Sequence, residues 1–312
     1  MKQQNDVIRQ NSLRAWLLAA RPKTLSGAAV PVLIGAGLAV ADAGREVNGL
    51  ALLLCLLFAF VMQIDANLVN DYFDFRHGND AMDRLGPPRA CTEGWITPRA
   101  MLVGILLTTL AGCLVGLPLI FFGGLTAVVV GVLCVLFCFL YTTHLSYLGL
   151  GDVLVLLFFG LVPVTMTRFV ALPAAMQDFS LESIVYGLAC GLVVDTLLIV
   201  NNTRDIDNDI KAGKRTLIVM TGRKGGVLLY WLLPALAVMM MLSVGFLRPS
   251  FLIVPALLLV SYCLLHRKAA LAIREMRTAA EADKVLAATA RNMFVFGLVT
   301  AIGLLLSTLL FF

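Results

Sequence analysis

Two short stretches of the chain gather acids and carboxamides at helical spacing. In the first, Asn67, Asn70, Asp71 and Asp74 fall at i, i+3, i+4 and i+7, so a helix sets all four on one stripe. In the second, Asn201, Asp205 and Asp209 are spaced by four, Asn202 precedes Asp209 by seven, and Asp195 extends the stripe further back. Oxygen donors grouped in this way suit a hard divalent cation such as Mg²⁺, which takes one or two protein carboxylates and completes its shell with water and phosphate oxygens. Asp71, Asp74, Asp205 and Asp209, with Asn67 beside them, are therefore candidate metal ligands. Basic residues flank both stretches. Arg76 and Arg84 follow the first, Lys211, Lys214 and Arg215 follow the second, and Arg21 and Lys23 precede the first long apolar run. Acid, base and metal together form a grip for phosphoryl oxygens.

These residues are positioned by elements that belong in a bilayer. Of 312 residues, 60% are hydrophobic and 14% charged, whereas soluble domains carry about a quarter charged residues. Apolar runs near 25–42, 49–70, 101–121, 124–142, 150–170, 181–200, 226–246, 250–266 and 292–311 each approach the roughly 20 residues that a crossing helix needs. The expected fold is all-α and polytopic: nine transmembrane helices around a central cavity, capped by cytoplasmic loops, as a single domain over 1–312. The two acidic stretches close the second and sixth helices and open the long polar connections 71–100 and 201–225. The segment from His266 to Arg291, rich in helix formers and mixed charges, is expected as a separate helix lying on the membrane surface.

The net charge of +5 does not point to nucleic acid, because the basic residues sort by side of the membrane. With nine crossings, the N-terminal segment and the second, sixth and eighth connections collect nearly all of them, leaving Arg45, Arg168 and Arg248 opposite. The N-terminus is then cytoplasmic and the C-terminus is not. No A-x-A cleavage site follows the first run, so a removable signal peptide is not expected. The seven cysteines show no metal or disulfide spacing and six fall within the runs, which makes them packing residues. His77, His144 and His266 are scattered.

The motifs resemble the UbiA superfamily of intramembrane prenyltransferases. The resemblance rests on N-D-x-x-D in the second helix, Asp205 to Asp209 in the sixth, and nine helices in about 300 residues. Closer features are R-P-K-T-L from Arg21, G-P-x-R from Gly86 to Arg89, G-L-G-D from Gly149 to Asp152 and N-N-x-R-D-I from Asn201. They are similar to the branch that prenylates 1,4-dihydroxy-2-naphthoate on the way to menaquinone.

The resemblance implies Mg²⁺ as cofactor, bridging the acids to a polyprenyl diphosphate, and an aromatic acceptor that loses its carboxylate as CO₂. It implies a cell-membrane setting among lipid, with no obligatory protein partner. Arg21, Lys23, Asn67, Asn70, Arg76, Arg84, Asn201, Asn202, Lys214 and Arg215 become candidate substrate-binding residues. Where much of the superfamily has a third acid, this chain has Gly78, and Asp80 takes that place as a further candidate metal ligand. T-T-H-L-S-Y after Tyr141 lacks the basic residues often found there. Tyr141 is a candidate catalytic ring for stabilising an allylic cation, or an ordinary packed aromatic. Asp65 and Asp195 either face the acceptor or pair with helix-packing partners. Another acceptor, such as 4-hydroxybenzoate, homogentisate, haem or a glycerol phosphate lipid, and, from another class, an ion-coupled transporter, remain alternatives. Reporter fusions test the sidedness: one at the N-terminus is expected to report cytoplasm, and one at the C-terminus the opposite compartment.

Overall fold

The computed structural model describes residues 8–78 and 88–311, and every regular element among them is helical. A short helix α1 (Leu13–Ala20) leads into α2 (Leu25–Ala43), and α3 (Gly49–His77), α4 (Pro98–Gly116) and α5 (Ile120–Leu140) come next. The fifth crossing is composite: α6 (Gly151–Leu156), a π-helical turn at Leu157–Leu161, and α7 (Val162–Ala171). Then come α8 (Leu181–Lys211), α9 (Leu217–Leu247), α10 (Ser250–Glu275) and α11 (Ala279–Phe311). A helix satisfies its own backbone groups, which is why apolar runs in lipid fold this way. Side-chain oxygens of Asn48, Thr97, Ser180 and Thr216 accept the backbone N–H three residues on and so fix where four of these helices begin.

Among the described residues, eight stretches are long and apolar enough to cross a membrane, but one of them, Pro98–Leu145, runs 48 residues. It contains two crossings. Along α4, Gly104 lies beside Leu68, Gly112 beside Met62 and Gly116 beside Phe58, so α4 runs antiparallel to α3. Along α5, Phe122 packs near Cys55, Cys138 Sγ lies 3.9 Å from Asp65, and Thr142 meets Asn70, so α5 runs parallel to α3. Pro118 and the positive φ of Gly124 mark the reversal between them. Counting α4 and α5 separately gives nine crossings among the described residues.

Glycine lets several of these helices touch backbone to backbone. A Cβ on Gly35 of α2 would stand 2.6 Å from the Val164 carbonyl of α7. One on Gly191 of α8 would stand 2.7 Å from the carbonyl and 2.8 Å from the Cα of Leu156. The outer surface, by contrast, is a belt of large exposed side chains such as Leu106, Phe121, Leu125 and Leu309, as lipid contact requires. At the end away from the acidic stretches, Asp42 is gripped by Arg168 at 2.7 Å and Arg248 at 2.6 Å, and Arg168 also meets Asp178 at 2.7 Å. Two cations expected on that side are thus neutralised where α2, α7 and the α9–α10 turn converge.

The separate surface helix expected between His266 and Arg291 does not form. Its residues extend α10 and α11, which are joined only through Met276, Arg277 and Thr278. Ala269, Ala270, Ile273, Ala282 and Val285 bury against Ile199, Val200, Ile218 and Tyr230, so this segment has a core face of its own. Thr278 and Glu281 form a reciprocal cap: the Thr278 hydroxyl accepts from Glu281 N–H, and the Glu281 carboxylate accepts from Arg277 and Thr278 N–H. The polar connection after α8 is likewise shorter than expected, Ala212 to Thr216, because α8 runs on to Lys211. Substituting Gly191→Leu is expected to force α8 away from Leu156 and to destabilise the bundle by about 1–3 kcal/mol, read as a lowered unfolding midpoint in detergent.

Candidate active site

A cavity of about 230 Å³ opens between the ends of α3 and α8. From α3 it receives Asn70 and Asp74; from α8, Asn201, Asn202, Arg204, Asp205, Asn208 and Asp209. The π-helical turn Tyr141–Leu145, which succeeds α5, contributes Tyr141 and Thr142, and the start of α6 contributes Gly151 and Asp152. Arg21, Arg89 and Lys214 reach in from three different connections. A π turn inserts one residue into the helical register and re-aims the side chains beyond it, and here Thr142 donates its hydroxyl to Asn70 Oδ1 across the gap between α5 and α3.

The charges around this cavity are matched. Asp74 has Arg89 Nη2 at 3.1 Å on one oxygen and Lys214 Nζ at 3.7 Å on the other. Arg204 donates through Nε and Nη2 to the two oxygens of Asp205, at 2.8 and 2.7 Å. Among the described residues, four acids (Asp74, Asp152, Asp205, Asp209) thus line the cavity with four bases (Arg21, Arg89, Arg204, Lys214). Lys214 is held by its surroundings: its backbone N–H donates to Asp209 C=O at 2.9 Å, and its ammonium lies 5.4 Å from the Tyr147 ring centre. Arg215 N–H donates to Tyr147 C=O at 3.1 Å, docking the turn after α8 onto the turn before α6. Gly149 sits at that junction with φ +79°, a conformation that favours glycine.

The stripe on α3 divides into two faces. Asn70 and Asp74 look into the cavity, whereas Asn67 and Asp71 hold neighbouring segments. Asn67 Nδ2 donates to Ala20 C=O at 3.0 Å and to the Thr24 hydroxyl at 2.9 Å, fastening the α1–α2 turn. Asp71 is buried, and its two oxygens accept the N–H groups of Ala90 and Cys91, each at 2.9 Å, with Arg21 at 4.0 Å. Among the other residues singled out in the sequence, Asp205, Asp209, Tyr141, Arg21, Asn201, Asn202 and Lys214 line the cavity; Lys23, Arg76 and Arg215 do not, and Lys23 and Arg76 are exposed. Asp80 and Arg84 lie outside the described residues. Asp65 takes the packing role: it is fully buried and accepts from Thr108 and Thr109 of α4, at 2.5 and 2.8 Å.

Arg89, Asp152, Arg204 and Asn208 were not singled out as site residues. Arg89 closes the G-P-x-R motif and Asp152 the G-L-G-D motif, so both had a signal. Arg204 is likewise the Arg of the N-N-x-R-D-I motif, whereas Asn208 had only its place within the second acidic stretch.

The donor set fits a hard cation completed by substrate. Among the described residues no three His, Cys, Asp or Glu side chains stand close enough to make a metal cage. Mg²⁺ does not need one, since water and phosphate oxygens fill most of its shell. Among the described residues the cavity wall offers carboxylate and carboxamide oxygens from α3, α6 and α8 and no sulfur.

Fold and site together define a polytopic helical membrane protein with a charge-lined cavity at one end of its bundle. Residues 28–288 match the model of the UbiA prenyltransferase family, and the chain belongs to that family. It is similar to the 1,4-dihydroxy-2-naphthoate octaprenyltransferase of Haemophilus influenzae, with 34% identity over 247 residues, covering 74% of this chain and 77% of that protein. In fold it resembles the apo structure of a UbiA homolog from Aeropyrum pernix K1, with a TM-score of 0.63 and 15% identity over 90% of this chain and 97% of that one. It also resembles a UbiA homolog from Archaeoglobus fulgidus bound to Cd²⁺, with a TM-score of 0.59 and 15% identity over 90% of this chain and 99% of that one.

An amide at position 71 cannot accept both backbone N–H groups. Asp71→Asn is therefore expected to destabilise the protein by about 1–3 kcal/mol and to expose the chain around Ala90 to protease, which unfolding midpoints and limited proteolysis would register.

Proposed function

We propose that this chain transfers a polyprenyl group from a polyprenyl diphosphate to 1,4-dihydroxy-2-naphthoate, with loss of diphosphate and CO₂, giving demethylmenaquinone. The observation that carries the reading is the cavity in which acids from α3 and α8 face one another among four cations, within a chain of this family. The acceptor is inferred from the similarity to an octaprenyltransferase of that name in H. influenzae, which spans three quarters of both chains.

Mg²⁺ is the proposed cofactor, with Asp74 on α3 and Asp205 and Asp209 on α8 offering one or two carboxylates to an ion that phosphate oxygens and water complete; when bound it would neutralise phosphoryl oxygens and make diphosphate a better leaving group. The charge balance supports this. Among the described residues the lining acids and bases already cancel, so a diphosphate adds negative charge that those side chains alone do not compensate. Arg21, Arg89, Arg204 and Lys214 are the proposed phosphate-facing cations, while Asn67 and Asp71 are assigned to holding the surrounding segments. Tyr141 offers its ring face to positive charge developing on the prenyl carbon. Apolar helices around the cavity exclude water, which would otherwise trap that carbon as an alcohol. A site at the end of a membrane bundle also leaves the hydrocarbon tail of the donor in lipid, where it is stable. We place the N-terminus and the cavity on the cytoplasmic side of the cell membrane, because the basic connections gather there.

Purified protein supplied with polyprenyl diphosphate, Mg²⁺ and 1,4-dihydroxy-2-naphthoate is expected to release CO₂ and prenylated product. Chelation should stop it, and Asp74→Asn, Asp205→Asn or Asp209→Asn should each lower kcat/KM by roughly a hundredfold or more. Turnover with 4-hydroxybenzoate but not with the naphthoate would overturn the acceptor assignment.

A further inference from the structure

Two unlike groups of side chains line the cavity. One is Asp74 with Arg89 and Lys214; the other is Tyr141 and Leu198 around Gly151, with Asp152 next to it. A side chain on Gly151 would start 3.5 Å from Leu198 and 3.7 Å from the Tyr141 hydroxyl, so glycine keeps open the space between an apolar wall and an aromatic ring. Asp152 stands at the edge of that space. Packed against it on α8 is Asp195, only 4% exposed. The two carboxyl groups lie within hydrogen-bond reach of each other, and one oxygen of each is buried without a hydrogen-bond partner. Neither metal binding nor diphosphate neutralisation uses this pair.

Two ionised carboxylates do not persist side by side in dry surroundings, so such a pair holds one proton in common. The proton makes one carboxyl a donor to the other, and so gives a partner to buried oxygens that otherwise have none. Asp195 does not line the cavity; Asp152 does, and its other oxygen, which is not buried, is the one that an occupant of the space beside Tyr141 meets.

We infer that Asp152 and Asp195 form a hydroxyl-recognition subsite for the aromatic acceptor: Asp152 accepts a hydrogen bond from a ring hydroxyl, and Asp195 positions Asp152 through their shared proton. This rests on the proposed reaction. It assigns the Tyr141 group to the ring and the Arg89 group to diphosphate. It also gives a reason why an acceptor lacking the hydroxyl is rejected, since a site built around a hydrogen bond discriminates strongly against a ligand that cannot make it.

The test uses the purified chain as wild type, Asp152→Leu, Asp195→Asn and Asp195→Leu. Wild-type turnover of 1,4-dihydroxy-2-naphthoate decides the underlying reaction by itself. For the subsite, acceptor binding is read as thermal stabilisation without Mg²⁺ or prenyl diphosphate, alongside KM for each substrate.

Asp152→Leu, which has no acceptor, is expected to weaken the acceptor substrate in both readouts by about tenfold to a hundredfold, with KM for the prenyl diphosphate within about twofold of wild type. Asp195→Asn keeps a donor for Asp152 and should stay within about threefold of wild type for the acceptor, whereas Asp195→Leu should reproduce most of the Asp152→Leu loss. Wild type should also discriminate against 1-hydroxy- or 4-hydroxy-2-naphthoate, each lacking one ring hydroxyl, and Asp152→Leu should not. That comparison decides the matter if Asp195→Leu fails to fold. Equal effects of Asp152→Leu on both substrates, equal behaviour of folded Asp195→Asn and Asp195→Leu, or a wild type indifferent to both hydroxyls would each overturn the inference.

Discussion

Asp74 is buried between two cations that arrive from opposite halves of the chain: Arg89 at 3.1 Å, from the connection after α3, and Lys214 at 3.7 Å, from the turn after α8. A carboxylate at the edge of a hydrocarbon layer is costly unless it is paired. Meeting that constraint draws the connections together over the cavity. Lys214 also rests on Tyr147, whose carbonyl takes Arg215 N–H, so one turn tied to Asp74 is tied to the π-helical segment as well. Asp71, one turn before Asp74, fastens Ala90 and Cys91 beside Arg89. The cap is thus organised by two acids of one helix, one engaging backbone and the other engaging charge.

The same pairing suits the proposed chemistry. Cations that neutralise acids in the substrate-free protein are already at hand for phosphoryl oxygens, and the acids they release are then open to a divalent ion. Such an exchange keeps the cavity near electroneutrality with and without substrate. The remainder of the bundle serves this end of the molecule. Glycine contacts bring α2 and α8 against the fifth crossing, and the Asp42, Arg168 and Arg248 cluster closes the opposite end.

Much of this was legible in the sequence, for reasons that particular residues make plain. Nine apolar runs correspond to nine crossings because lipid leaves a helix few alternatives, even where α4 and α5 succeed one another without a polar break. The stripes on α3 and α8 were readable from spacing alone. Spacing did not say which members of a stripe face the cavity: Asn67 and Asp71 lie one turn apart, Asn70 and Asp74 lie one turn apart, and the two pairs point to different neighbours. That depends on where the α1–α2 turn and the segment at Ala90 dock, which are tertiary facts. Arg89 and Asp152 sat within recognised motifs, but no local pattern reveals that Arg89 reaches Asp74 or that Asp152 meets Asp195. The misplaced surface helix is different. Thr278 and Glu281 spell a capping box, so the start of α11 was present in the sequence and was outweighed by the mixed charges around it.

The central claim is that the cavity binds diphosphate through a divalent ion exchanged against paired side chains. Titration calorimetry of farnesyl diphosphate into the purified protein, with Mg²⁺ and then with chelator, tests it most directly. The account predicts binding that is about a hundredfold weaker or undetectable in chelator. Equal affinity in both conditions would contradict it.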